Sequence, residues 1–204
     1  MNLNRLNLAC SVLLVSLTAA LSTSTPLQAA TVDYTAVATG TKSSPFDTGG
    51  VTATSSGTMF SDSLGLGVVG GNASDVIDAS ESVNFAFDAG GATGVTLETD
   101  LAIFSPQPST QDFAVQGFGL GGTSLGTVEV PIFPGFPTFN LSSLFAGATL
   151  SSFTVGGGNA FDTAVAVSKI TYTPVASTPE PSSLLLLGTG VVAVAGSLRR
   201  RLSA

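Results

Sequence analysis

Glu81-Ser82-Val83-Asn84-Phe85-Ala86-Phe87-Asp88 decides the fold class. Val83, Phe85 and Phe87 fall on one side of an extended chain, and Ser82, Asn84 and Ala86 on the other. A period of two marks a half-buried β-strand. Asp88-Ala89-Gly90-Gly91 breaks the run, and Gly94 to Phe104 resumes the alternation through Val95, Leu97, Thr99, Leu101 and Ile103. Working outward, β-compatible runs cover Thr31 to Thr39, Asp112 to Phe118, Gly126 to Phe133 and Thr149 to Val155. Val51 to Phe60 is rich in Thr and Ser and reads as an edge strand. Phe161 to Thr173 is the longest run. Its bulky residues change face between Val165/Val167 and Ile170/Tyr172, which predicts a bulge near Ser168 or Lys169. Leu141 to Gly147 predicts one helical turn capped by Asn140. Seven or eight short strands with Gly-rich turns predict an all-β fold, a β-sandwich of jelly-roll type.

Composition narrows the chemistry. The 204 residues include 24 Gly and 13 Phe but no His, no Trp and one Cys. Without histidine there is no Ser-His-Asp or Cys-His catalysis and no imidazole metal ligand. Cys10 alone makes neither an internal disulfide nor a zinc cluster. Charged residues are 9% of the chain, and the net charge is -7. Twelve of the 13 acids lie between Thr31 and Ser177, opposed only by Lys42 and Lys169. That distribution argues against nucleic acid and other polyanions as partners, unless a cation bridges them.

The two ends read as targeting segments. Arg5, the uncharged run Leu8 to Leu21 and the small residues around Pro26-Leu27-Gln28-Ala29-Ala30 have the order of a secretory signal peptide, residues 1–29. Cleavage after Ala29 sets Leu27 and Ala29 at the recognition positions, whereas cleavage after Ala30 would set Gln28 there. Cys10 precedes most of the apolar run, unlike a lipoprotein cysteine. Near the other end, Pro179-Glu180-Pro181 is followed by an uncharged run, Ser182 to Leu198, and by Arg199-Arg200-Arg201. As a helix the run reaches about 25 Å, at the short end for a bilayer core. The arginines would hold its far end on the cytoplasmic side, and the prolines would stop the helix on the near side. An ordinary single-span anchor and a sorting signal both fit this order.

The arrangement of Pro179-Glu180-Pro181, an apolar helix over 182–198 and an arginine cluster resembles the PEP-CTERM sorting domain of exosortase substrates, over residues 178–204. The resemblance implies a bacterial protein, exported and held in the membrane as an intermediate. A membrane-embedded, exosortase-like transpeptidase would then cut near the motif and pass it to the cell surface or extracellular matrix, in a setting of exopolysaccharide production. Export machinery and signal peptidase are the other implied partners. Gly65-Leu66-Gly67-Val68 and Ile77 to Phe87 also resemble a segment recurring in ectodomains of that family, which are similar to β-sandwich, carbohydrate-binding-like domains. The residues between the signals, 30–177, form the expected ectodomain, with a structural or adhesive role in a polysaccharide matrix.

Three clusters in the ectodomain compete with blander readings. Asn72, Asp75, Asp78 and Glu81 precede the decisive strand and would gather oxygens for calcium, or else bond to turn amides. Their spacing is not that of an EF-hand. Phe133, Phe136 and Phe139 recur every third residue among prolines, as an aromatic platform for sugars or as rings folded over the end of the sandwich. Glu98 and Asp100 share a strand face, the minimal requirement for a glycoside hydrolase, but acids this scattered form such pairs by chance. No residue is assigned a catalytic role. A carbohydrate- or calcium-binding module is the alternative function, and no cofactor other than calcium is implied.

Overall fold

The computed structural model describes residues 27–70, 76–78, 80–88, 90–103, 112–131, 137–156 and 163–175, with isolated helical positions at Gly188, Gly190 and Arg199. Among the described residues thirteen strands run in order: β1 Ala30–Asp33, β2 Gly40–Lys42, β3 Phe46–Thr48, β4 Val51–Ser55, β5 Thr58–Ser61, β6 Leu66–Val69, β7 Ser82–Phe87, β8 Ala92–Ile103, β9 Asp112–Gly119, β10 Ser124–Pro131, β11 Thr138–Asn140, β12 Leu150–Gly156 and β13 Thr163–Pro174. One helical turn, α1 Leu141–Leu144, stands between β11 and β12.

The strands form two antiparallel layers. One has the order β3-β4-β7-β12-β9-β10. The other has the order β2-β5-β6-β13-β8-β11, with β1 also on β13. A single pairing, Leu150 with Ala92, joins β12 to β8 and makes the sheet continuous and barrel-like. Rings from opposite layers meet between them. Phe87 of β7 lies 4.8 Å from Tyr172 of β13, and Phe113 of β9 lies 5.4 Å from Phe139 of β11. Tyr34, just after β1, reaches Phe85 at 5.9 Å.

The alternation in β7 places its side chains as the pattern predicts. Val83, Phe85 and Phe87 are buried, and the residues between them face outward. Phe85 stacks on its cross-strand partner Phe153 at 5.2 Å, the kind of pair that stabilises a sheet beyond simple burial. In β9, Phe113, Val115, Gly117 and Gly119 point inward. Gly117 lies against the Phe145 ring: a Cβ there would lie 2.8 Å from it.

The bulge predicted in β13 is present. Val167 pairs with Thr99 and Lys169 with Glu98, leaving Ser168 as the extra residue. Before it, Ala164 and Ala166 are buried on the outer face beneath Val76 and Leu64. After it, Lys169 faces outward while Ile170 and Tyr172 enter the core. The helical turn is also where Asn140 predicts it, with Asn140 Oδ1 accepting from Ser143 N–H at 2.9 Å.

Two expectations need correction. Val51 to Phe60 is not one edge strand. Ser56 and Gly57 divide it into β4 and β5, which lie in different layers, and β4 sits between β3 and β7 with Val51 and Ala53 fully buried. The strands also exceed the expected seven or eight, because β2, β3, β6 and β11 have only three or four residues and show no legible period. Among the described residues no helix is long and apolar enough to cross a membrane. The expected signal-peptide helix, and nearly all of the 182–198 run, lie outside those residues.

Candidate functional site

The C-terminal segment is built onto the last strand of the core. β13 is the central strand of its layer, flanked by β8 along one side and by β1 and β6. Tyr172 anchors its end twice, through the ring contact with Phe87 and through a hydroxyl donating to the Gly49 carbonyl at 2.9 Å. Val175 N–H then donates to the Gly91 carbonyl at 2.9 Å. The chain therefore leaves a fixed point on the sheet just before the proline-containing stretch. Pro179, Glu180, Pro181, Arg200 and Arg201 lie outside the described residues, while Arg199 is helical and exposed.

Residues 177–201 match the PEP-CTERM protein-sorting motif. The chain carries a PEP-CTERM sorting signal. The motif implies recognition by an exosortase, export and a membrane-anchored C-terminal sorting signal. No curated protein matches the chain. The PEP-CTERM match begins two residues beyond Val175, so β13 and the sorting signal follow each other almost without a linker.

Of the acidic cluster, Asn72 and Asp75 lie outside the described residues, while Asp78 and Glu81 come together in the turn before β7. Asp78 Oδ1 accepts from the Ser80 amide and hydroxyl, both at 3.1 Å. Glu81 Oε2 accepts from Asp78 N–H at 3.2 Å. Burial pushes the Glu81 carboxyl above its ordinary range; the Asp78 amide opposes this, and the Asp78 charge adds to it. These bonds are those of a carboxylate-capped turn. Among the described residues no three acidic, Cys or His side chains gather as a metal centre.

The aromatic triplet is divided too. Phe133 and Phe136 lie outside the described residues. Phe139 is half-buried, pairs with Leu97 of β8 and sets its ring edge-on to Phe113. This ring folds onto the core. Glu98 and Asp100 project from the outer face of β8. Glu98 Oε1 lies 3.7 Å from Lys169 Nζ, which also lies 3.9 Å from Asp33 Oδ2. The bulge at Ser168 aims Lys169 into this group. Asp33 also orders the chain that follows β1. Its Oδ1 accepts from Thr35 Oγ–H at 2.6 Å, and this bond holds its carboxyl below the ordinary range despite some desolvation, with Lys169 assisting.

Proposed function

We propose that this protein is a cell-surface or extracellular-matrix component, delivered by an exosortase-like transpeptidase, whose acidic β-domain has a structural or adhesive role in a polysaccharide matrix. The observation that carries the reading is the PEP-CTERM motif placed directly after β13. An enzyme at the membrane boundary would meet the motif beside a domain whose last strand is already locked. Leu27, Gln28 and Ala29 are exposed and outside the sheet, and β1 begins at Ala30. Signal-peptidase scission after Ala29 would therefore leave every strand intact. A jelly-roll-like winding is supported by the changes of layer from β7 to β8, from β8 to β9 and from β12 to β13, and by the first strand pairing with the last. A binding or structural role, without catalysis, agrees with the lack of histidine and with Glu98 being committed to Lys169.

Mass spectrometry of the surface form from the native host tests the sorting step. Peptides from Ser182 to Ala204 should be missing; their recovery on the dominant surface form would establish a permanent anchor instead. Calcium binding by the turn before β7 is a second reading, favoured by the meeting of Asp78 and Glu81. It predicts a higher melting temperature in calcium than in chelator, and equal melting temperatures would remove it.

A further inference from the structure

At one end of the sandwich the chain crosses between layers twice. Residues 43–45 carry it from β2 to β3, and Ser56 and Gly57 carry it from β4 to β5. Residues 41–44 and 55–58 line an open cleft of about 480 Å3 between these crossings, a size within the roughly 300–1,000 Å3 of small-ligand sites. Its walls are fixed. Ser44 Oγ donates to the Ser55 carbonyl and accepts from the Ser55 amide, both at 3.1 Å, tying one crossing to the other. Ser55 Oγ accepts from Gly57 N–H at 3.2 Å. Gly57 packs close to β6, where an added Cβ would lie 2.9 Å from Val68 Cγ1.

The lining is rich in hydroxyls. Thr41, Ser43, Ser56 and Thr58 are exposed, and their hydroxyls bond to no other described residue. Lys42 is the only charged residue of the lining. Its ammonium donates to the Ala38 carbonyl and lies 5.8 Å above the Phe46 ring. The other lysine of the β-domain, Lys169, is held by two carboxylates. No wholly apolar side chain lines the cleft, so it offers no anchor of the kind that dominates protein interfaces. The acid excess of the domain repels a polyanion. Hydroxyls both donate and accept, and a ligand that does the same at several adjacent points is a polyhydroxyl chain.

We propose that this cleft binds a short stretch of neutral polysaccharide, with the four unpaired hydroxyls and Lys42 as its hydrogen-bonding set and Ser44 as the residue that positions them. This rests on the matrix reading above and gives it a site.

The test uses the full chain in mild detergent, with laminarihexaose and cellohexaose as neutral probes and hexagalacturonate as an acidic one. Amide shifts in NMR should move at residues 41–44 and 55–58 with a neutral probe. Combined Thr41→Ala, Ser56→Ala and Thr58→Ala changes should weaken that binding roughly tenfold, the scale of one or two lost hydrogen bonds. Thr127→Ala, on the exposed face of β10, should leave it unchanged. Shifts confined to another face would overturn the cleft while leaving the matrix reading intact. Preference for hexagalacturonate, or no response to either neutral probe, would overturn the assignment of a neutral chain.

Discussion

Tyr34 and Tyr172 enter the same core, but their hydroxyls meet different surroundings. Tyr172 donates to the Gly49 carbonyl at 2.9 Å. The buried Tyr34 hydroxyl has no partner among the described residues, and burial drives its pKa far up. Tyr172→Phe should therefore cost about 1 kcal/mol in urea unfolding, whereas Tyr34→Phe should cost nothing or stabilise, since it removes an uncompensated desolvation. Two glycines separate soft from hard crowding. The nearest atoms to a Cβ at Gly117 belong to the Phe145 side chain, and Gly117→Ala should cost about 1–3 kcal/mol. A Cβ at Gly65 would fall onto the Val167 carbonyl oxygen and within 2.8 Å of Ser168 Cα, and Gly65 has φ +134°. Gly65→Ala should cost more, and Phe145→Leu should rescue only the Gly117 variant. Asp33 and Glu81 act on pH stability with opposite signs. The lowered Asp33 pKa adds stability above its ordinary value of 3.8 that is lost as pH falls through the folded value. The raised Glu81 pKa adds stability at low pH that is lost as pH rises from 4.5 through the folded value. The melting temperature of Glu81→Gln, relative to the parent, should thus improve between pH 4 and pH 7.

At the scale of elements, length decided what the sequence made legible. β7, β8, β9, β12 and β13 have six residues or more, enough for a period of two to stand out, whereas β10, eight residues long, is exposed along most of its length and carries little alternation. The three-residue strands β2, β3 and β11 exist because neighbours offer them an edge, and no periodicity announces that. The Thr- and Ser-rich Val51 to Phe60 stretch has the polarity of an edge strand, and only its pairing partners show that β4 lies inside the layer. The buried side of β4 consists of only Val51 and Ala53, small residues that make room for β7 rings nearby. The bulge was legible because bulky residues changed face, but its effect on Lys169 was not. The Asn140 cap was legible because the short acceptor stands three residues before Ser143, the spacing at which an N-cap side chain meets a free amide. Asn140→Ala should cost about 1 kcal/mol, read as a lower unfolding midpoint with an unchanged denaturant slope.

At the scale of the molecule, an acid excess of ten spread over one β-domain opposes its own compaction. Lys169 offsets it through ion pairs with Asp33 and Glu98 that are partly exposed, and these are weak. Added sodium chloride at neutral pH should therefore raise the melting temperature, because screening relieves more repulsion than attraction. A fall would show that the Asp33–Lys169–Glu98 group outweighs the net field. The sequence by itself determined the β class, the alternation of β7 and β8, the change of face in β13 with its bulge, the cap and the sorting signal. Each of these depends on neighbours along the chain: a period, a change of face, a capping residue or an ordered set of targeting residues. Only the tertiary structure decided which strands share a layer, that Val51 to Phe60 divides between layers, and that residues 41–44 and 55–58 enclose one cleft. Those depend on pairings between residues far apart in sequence, where many registers satisfy the same alternation and only the packing of both layers together selects one.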